Sequence, residues 1–454
     1  MLLKSIPKVD KFITNRAFEG LSKSLITKIS KEKISKLRDI ILGKKIENYD
    51  ENILVSSVLK SYFDILSPSL KPLINATGVI VHTNLGRSLI DKTTFEKVSN
   101  IASSYNNLEY DLQKGCRGER YEHITKSLKE LLGCEDALVV NNNASAVFLI
   151  LNTFCKDKKV AVSRGELVEI GGSFRVPEVM SQSGAILKEI GTTNKTHLKD
   201  YENAVQDGDV KMLLKVHKSN YEIVGFTSSV EFRDISNLAK KHNLIDYYDM
   251  GSGHLFDLPY NLSKDEPSIK KLLENNPSLL SFSGDKLLGS VQAGIIVGKK
   301  ELIDKLKKNQ LLRMLRVDKI TLCLLEESIN LYLKDELDKI PTLKMLNTSL
   351  ETLEKRANIL KNSLQKLENF SLECEVISSK SFVGGGTMPN KQIPTIALSL
   401  NNKTLKPEQI EKILRKNLII SRIENNKVLL DFRTILENDI EKLKNILEKE
   451  FRYE

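Results

Sequence analysis

An α/β protein built around a mostly parallel sheet is what this sequence predicts, and three observations predict it. Between about residues 137 and 297, short apolar and β-branched runs alternate with helix-length amphipathic or polar segments, the pattern of a doubly wound sheet. The runs are followed at once by small or polar residues, as at Asn141-Asn142-Asn143-Ala144-Ser145 and Ser283-Gly284-Asp285-Lys286. Ligands of such sheets lie beyond the carboxyl ends of the strands, where those residues fall. The 454 residues, 41% of them hydrophobic, suffice for a full core and exclude a disordered chain.

In chain order, residues 1–66 predict a small basic helical domain, with Leu21, Leu25, Ile29 and then Ile34, Leu37, Ile41 at helical spacing. Residues 1–60 hold 13 Lys and Arg against 7 Asp and Glu, a surplus of +6 within a chain total of +10. That asymmetry favours a polyanion such as RNA, although a solvated helix face in a Lys-rich protein gives the same count. Ser67-Pro68-Ser69 and Lys71-Pro72 mark a boundary. The core domain follows over 73–305, with strands predicted at Ala137–Asn141, Val160–Ser163, Ala185–Ile190, Met212–Val216, Leu244–Asp249, Leu279–Phe282 and Ala293–Val297. Residues 306–454 read as a helical linker and a small α/β domain. A leucine stripe there (Leu343, Leu346, Leu350, Leu353, Leu360, Leu364, Leu367) suits a core or an oligomer seam. Strands are expected near Thr395–Leu400, Leu418–Ile423 and Val428–Phe432, with a helix from Glu437; Gly384-Gly385-Gly386 fits an active-site loop or a plain connector.

Five cysteines (Cys116, Cys134, Cys155, Cys323, Cys374) show no CxxC or metal-ligand spacing, so a reduced, cytoplasmic protein without a zinc site is expected. No apolar run approaches membrane-spanning length, and the start MLLKSIPKVDKF lacks the apolar stretch of a signal peptide.

Lys286 lies between two strand-like runs among small and apolar residues. Removal from water disfavours its ammonium form and frees an amine able to form a Schiff base; a lysine pointing out of a surface loop is the plainer alternative. Asp249 ends the run LIDYYD ahead of a Gly-Ser-Gly turn. A carboxylate there could hold a pyridine nitrogen protonated while the lysine tethers the same ring, or simply cap the next helix. The Asn141–Ser145 run opens a helix, Ala146 to Phe154, whose N-terminus suits a phosphate, and Asn142 or Asn143 serves equally as its cap. His217, at the end of KMLLKVH, could stack on or bond to a cofactor ring, or be a structural histidine.

Longer motifs carry a family resemblance. INATGVIVHTNLGRSL from Ile74, VVNNNASAV from Val139, SRGELVEIGGSFRVPEVM from Ser163, KVHKSNYEIVGFT from Lys215, DMGSG from Asp249, SFSGDKLLGSVQAGIIVGKK from Ser281 and LLRMLRVDKITL from Leu311 closely resemble the bacterial selenocysteine synthase family, the L-seryl-tRNA(Sec) selenium transferases. The likeness covers nearly the whole chain and is weakest before about residue 70. It departs at GSVQAG, at KVHKSN and at Cys116, and keeps the lysine, the aspartate and the asparagines.

This resemblance implies an aminotransferase-like (fold type I) core and pyridoxal 5'-phosphate as cofactor. It implies Lys286 as Schiff-base lysine, Asp249 as partner of the ring nitrogen, His217 close to the ring, and Asn142, Asn143 and Ser283 around the phosphate. It further implies Arg87, Arg313 and Arg316 at the selenophosphate and seryl-tRNA(Sec) as the other substrate; reaching both the tRNA body and its acceptor end from one subunit is geometrically demanding, so a homo-oligomer is expected. Without it, Arg313 and Arg316 are as well explained as a basic helix face. Two other functions stay compatible with the residues alone: a related enzyme acting on a small amino acid, and a non-catalytic tRNA-binding protein.

Overall fold

In the computed structural model, which describes residues 2–43, 46, 48–170, 174–218, 221, 223–264, 266–384, 387, 388 and 390–452, the chain divides into two compact units, 1–73 and 74–454. The first is helical. Its main elements are α1 (Lys23–Leu42) and α2 (Glu51–Leu66), the latter capped by the Asp50 side chain, which accepts from Asn52 N–H. Phe12, Ile26, Ile34, Val58 and Tyr62 fill the space between its elements, while Lys23, Lys28, Lys31, Lys36 and Arg38 of α1 are exposed.

The second unit contains two larger sheets. The strands of these two sheets in chain order are β1 (Ile74–Ala76), β2 (Val79–Val81), β3 (Asp136–Val140), β4 (Lys159–Ser163), β5 (Ile186–Ile190), β6 (Val210–Val216), β7 (Ile245–Gly251), β8 (Leu279–Ser283), β9 (Gly294–Gly298), β10 (Glu373–Gly384), β11 (Gln392–Asn401), β12 (Ile419–Glu424) and β13 (Lys427–Asp431). The central sheet runs β3-β9-β8-β7-β6-β4-β5, parallel except for β9, which is antiparallel to both neighbours. Each of the seven predicted core strands is present within two residues of its expected bounds.

Except at the edge strand β5, whose Ile186 and Glu189 are exposed, their largely apolar runs reflect burial on both faces. Side-chain alternation sends Val139, Leu213, Tyr248, Leu280 and Ile295 into one layer and Leu138, Met212, Tyr247, Leu279 and Ile296 into the other. On the second layer lies α3 (Asn143–Cys155), whose Ala146, Leu149 and Ile150 are fully buried.

The smaller sheet runs β1-β12-β13-β11-β10-β2. Residues 74–81, expected at the entrance to the core, pair instead in parallel with β12 and β10. Alternation is weak in such three-residue strands, which is why sequence reading passed over them, and the long strand β10 was also missed. The leucine stripe divides between two helices, Pro341–Asn347 and Leu350–Gln365, broken where Ser349 caps the second. Leu346 packs in the central core and Leu353, Leu360 and Leu364 under the smaller sheet, so these leucines are core. Gly384 closes β10; Gly385 and Gly386 lie outside the described residues. Among the described residues no helix is long and apolar enough to cross a membrane.

Candidate active site

Lys286 sits in the turn joining β8 to β9, past the carboxyl end of β8. Three backbone bonds tie this turn: Gly284 N–H to Ala293 O at 2.8 Å, Ser290 N–H to Gly284 O at 2.9 Å and Gly289 N–H to Lys286 O at 3.0 Å. A Cβ at Gly284 would stand 2.5 Å from Val291 O, so only glycine fits there. The loop after β2 latches onto the same turn. Arg87 Nη1 lies 2.6 Å from Asp285 Oδ2, Ser88 N–H donates to Asp285 O at 3.2 Å, and Ser88 Oγ donates to Lys286 O at 2.6 Å. Lys286 is 7% exposed. Burial, and then the charge of Arg87, push its pKa below the usual lysine value against the pull of Asp285, Asp249 and Glu266.

Asp249 faces this region from β7. A register shift between Asp249 and Gly251 against β8 marks a bulge, so the strand runs two residues beyond its predicted end. Burial raises the Asp249 pKa above the ordinary carboxylate value, opposed by Asn143, Lys286 and His217. Asn143 Nδ2 donates to Asp249 Oδ1 at 2.6 Å, and among the described residues the buried Asn143 Oδ1 has no hydrogen-bond partner.

Asn142 is the cap of α3, its Oδ1 accepting from Ser145 N–H at 2.8 Å. The two adjacent asparagines thus divide their tasks, one on the helix end and the other on the Asp249 carboxylate. Ser283 is buried at the end of β8, opposite Gly294. The His217 N–H donates to Asp249 O at 2.8 Å, and its Nε2 lies 3.1 Å from Glu266 Oε2.

Of the three arginines, Arg87 is brought beside Lys286 through Asp285. Arg313 and Arg316 are exposed on and after the short helix Leu312–Leu315, which hangs from the end of β3 by Asn141 N–H to Leu315 O at 2.9 Å. Arg316 Nη1 lies 3.5 Å from Glu109 Oε1. Among the described residues no hydrogen bond or ion pair joins Arg313 or Arg316 to Lys286, Asp249 or Arg87. Sequence reading missed Glu266, Ser88 and the Arg87–Asp285 pair; they come from separate loops, and no spacing announces them.

Strand order, the lone antiparallel β9 of the central sheet and a buried lysine just before it define the class: an aminotransferase-like, fold type I scaffold. A solved structure of D-glucosaminate-6-phosphate ammonia-lyase shares this fold, with a TM-score of 0.59 at 17% identity over 85% of this chain and 98% of that one. Residues 73–436 match the family described as L-seryl-tRNA selenium transferase. The chain is 71% identical to the L-seryl-tRNA(Sec) selenium transferase of Aliarcobacter butzleri and 60% identical to that of Sulfurimonas denitrificans, in each case over 99% of both chains. It belongs to the L-seryl-tRNA(Sec) selenium transferase family.

Proposed function

We propose that this chain converts seryl-tRNA(Sec) to selenocysteinyl-tRNA(Sec), using pyridoxal 5'-phosphate held between Lys286 and Asp249 and selenophosphate as selenium donor. The observation that carries the reading is a depressed-pKa lysine and a buried carboxylate meeting at the carboxyl edge of the sheet in a member of this family. The residues fit the cofactor. A buried carboxylate is costly unless it is paired, and a pyridinium N–H is a suitable partner for Asp249; the buried Asn143 Oδ1, without a hydrogen-bond partner among the described residues, is a further acceptor beside it.

When bound, the cofactor supplies an electron-accepting ring that stabilises negative charge at the substrate α-carbon. Lys286 Nζ, whose charged form burial disfavours, would tether the cofactor's aldehyde and would take and return the α-proton of the substrate. Asp249, aimed by Asn143, would hold the ring nitrogen, and Asn142 and Ser283 would contribute to the phosphate end. The serine hydroxyl would leave with a proton as water, and selenium would bond to the β-carbon as the P–Se bond of selenophosphate is hydrolysed to release phosphate. Arg87, Arg313 and Arg316 bind the selenophosphate oxygens, Arg87 sharing its guanidinium with Asp285.

The serine reaches the site as an ester, so its carboxylate offers no handle and the tRNA body must supply most of the affinity. The exposed lysines of α1 are the surface for it. We infer a cytoplasmic homo-oligomer in which the helical unit of one subunit presents tRNA to Lys286 of a neighbour. The test is selenium transfer with purified protein, seryl-tRNA(Sec) and selenophosphate. Transfer that depends on pyridoxal phosphate is expected; a cofactor-loaded protein that transfers none overturns the proposal.

A further inference from the structure

The ring of His217 is held from both sides by groups distant in sequence. Glu266 Oε2 lies 3.1 Å from Nε2, and the Tyr248 hydroxyl lies 3.4 Å from Nδ1. Glu266 is itself fixed. Ser252 Oγ donates to its Oε1, His254 Nδ1 stands 3.6 Å from the same oxygen, and Ser263 Oγ lies 3.3 Å from His254 Nε2. Glu266, Ser252 and His254 are each 3% exposed or less. Taking a carboxylate this far from water is costly unless it is well paired. Burial drives the Glu266 pKa up, but the hydrogen bond from His217 Nε2 outweighs it and holds the group well below the carboxylate range. Glu266 is therefore ionised, an acceptor only.

The backbone of His217 is already tied to Asp249, so its remaining freedom is rotation of the side chain. An acceptor-only carboxylate requires a proton on Nε2. Tyr248, whose burial keeps its phenol protonated, is then the donor toward Nδ1. With both nitrogens engaged, what His217 offers the adjoining cavity of about 430 Å³, lined also by Tyr248 and Glu266, is its ring carbons and face.

We propose that Glu266 is a positioning residue for selenium transfer: it accepts the Nε2–H of His217, fixes that ring's tautomer and plane beside Asp249, and is itself braced by Ser252 and His254. The inference rests on the reading that Asp249 and Lys286 hold the cofactor, and it leaves proton transfer to Lys286 by taking both His217 nitrogens out of reach of substrate.

The experiment is nitrogen NMR of the cofactor-loaded, full-length protein labelled at histidine, with steady-state kinetics beside it. Wild-type His217 should show a protonated Nε2; an unprotonated Nε2 overturns the proposal without any variant. Glu266→Gln keeps an acceptor in place and should retain that tautomer, with kcat within about threefold of wild type. Glu266→Leu removes the acceptor; His217 should become a mixture of tautomers and kcat should fall by about tenfold or more, as small misplacements near a reacting centre do, at unchanged KM for seryl-tRNA(Sec). An unmoved tautomer or an unmoved kcat in a folded Glu266→Leu protein also overturns it. Failure of the underlying reading looks different: borohydride would then not fix the cofactor on Lys286 in wild type.

Discussion

Gly294 is a backbone position on which the site's geometry depends. It lies on β9 between Ser283 and Val140, bonded into the ladder on both sides, so the strand has nowhere to withdraw. A Cβ there would stand 2.2 Å from Asn142 O and 2.9 Å from Asn143 N. Gly294→Ala must therefore push the Asn142–Asn143 turn away by roughly 1 Å to restore ordinary contact distances. Overpacking of that kind costs about 1–3 kcal/mol of stability. The functional loss is separable from it. The turn carries Asn143, whose 2.6 Å bond to the Asp249 carboxylate is worth about 1.5–3 kcal/mol as a charge-assisted contact. Losing it should weaken pyridoxal-phosphate binding by about ten- to a hundredfold. The assay is titration of apoprotein with cofactor for Gly294→Ala, Asn143→Ala and the double variant. If the glycine acts through Asn143, the second change adds little to the first. Wild-type affinity in Gly294→Ala, or two effects that simply add, would refute the reasoning.

Replacing Lys286 by Met should abolish borohydride fixation of the cofactor and change how apoprotein stability depends on pH. Because burial lowers the Lys286 pKa below 10.5, the unfolded chain holds a proton that the folded chain lacks in the window between the two values, and wild-type stability rises with pH there. Lys286→Met should be the more stable protein on the acid side of that window, with the advantage gone above it; parallel urea-melt profiles would contradict this. Arg313→Ala or Arg316→Ala should leave cofactor spectrum and tRNA binding intact while turnover falls steeply at low selenophosphate, each lost contact costing about 1.5–3 kcal/mol; turnover equal to wild type would remove them from the donor site. Removing residues 1–66 should preserve cofactor binding and largely eliminate tRNA binding, which in the intact protein should weaken steeply with salt as counterions are released. Filter binding as tight as that of the full chain would reduce the basic helices to a solvated face.

Most of the central strands were legible because burial on both faces writes a largely apolar run, and the placement of Lys286 and Asp249 beside strand ends was legible because turn residues follow those runs at once. What could not be read is what depends on two distant segments meeting. Ile74–Ala76 and Val79–Val81 are too short to carry a pattern, and their partners lie near the other end of the chain. Glu266 sits in a polar loop like many others and becomes notable only once His217 and His254 converge on it. Asn143 was expected near a phosphate from its place at a helix start, and only the folded geometry turns its amide to Asp249. The leucine stripe was read as one surface because helical periodicity continues across the break at Ser349, although its two halves serve different cores.

The pairing of Ile74 with Ile419 and of Val79 with Phe382 also constrains how the chain can be made. Synthesis releases β1 and β2 more than three hundred residues before the strands that receive them, and an unmatched strand edge exposed for that long invites pairing with other chains. Closing a loop of that length costs only slightly more entropy than closing a shorter one, but it cannot begin until nearly all of the protein has left the ribosome. The loop that brings Arg87 and Ser88 against Lys286 follows directly from β2. Assembly of the catalytic edge is therefore tied to one of the last folding events, and a chain terminated before β10 would lack the strand that anchors this loop even though every residue of the central sheet had been synthesised.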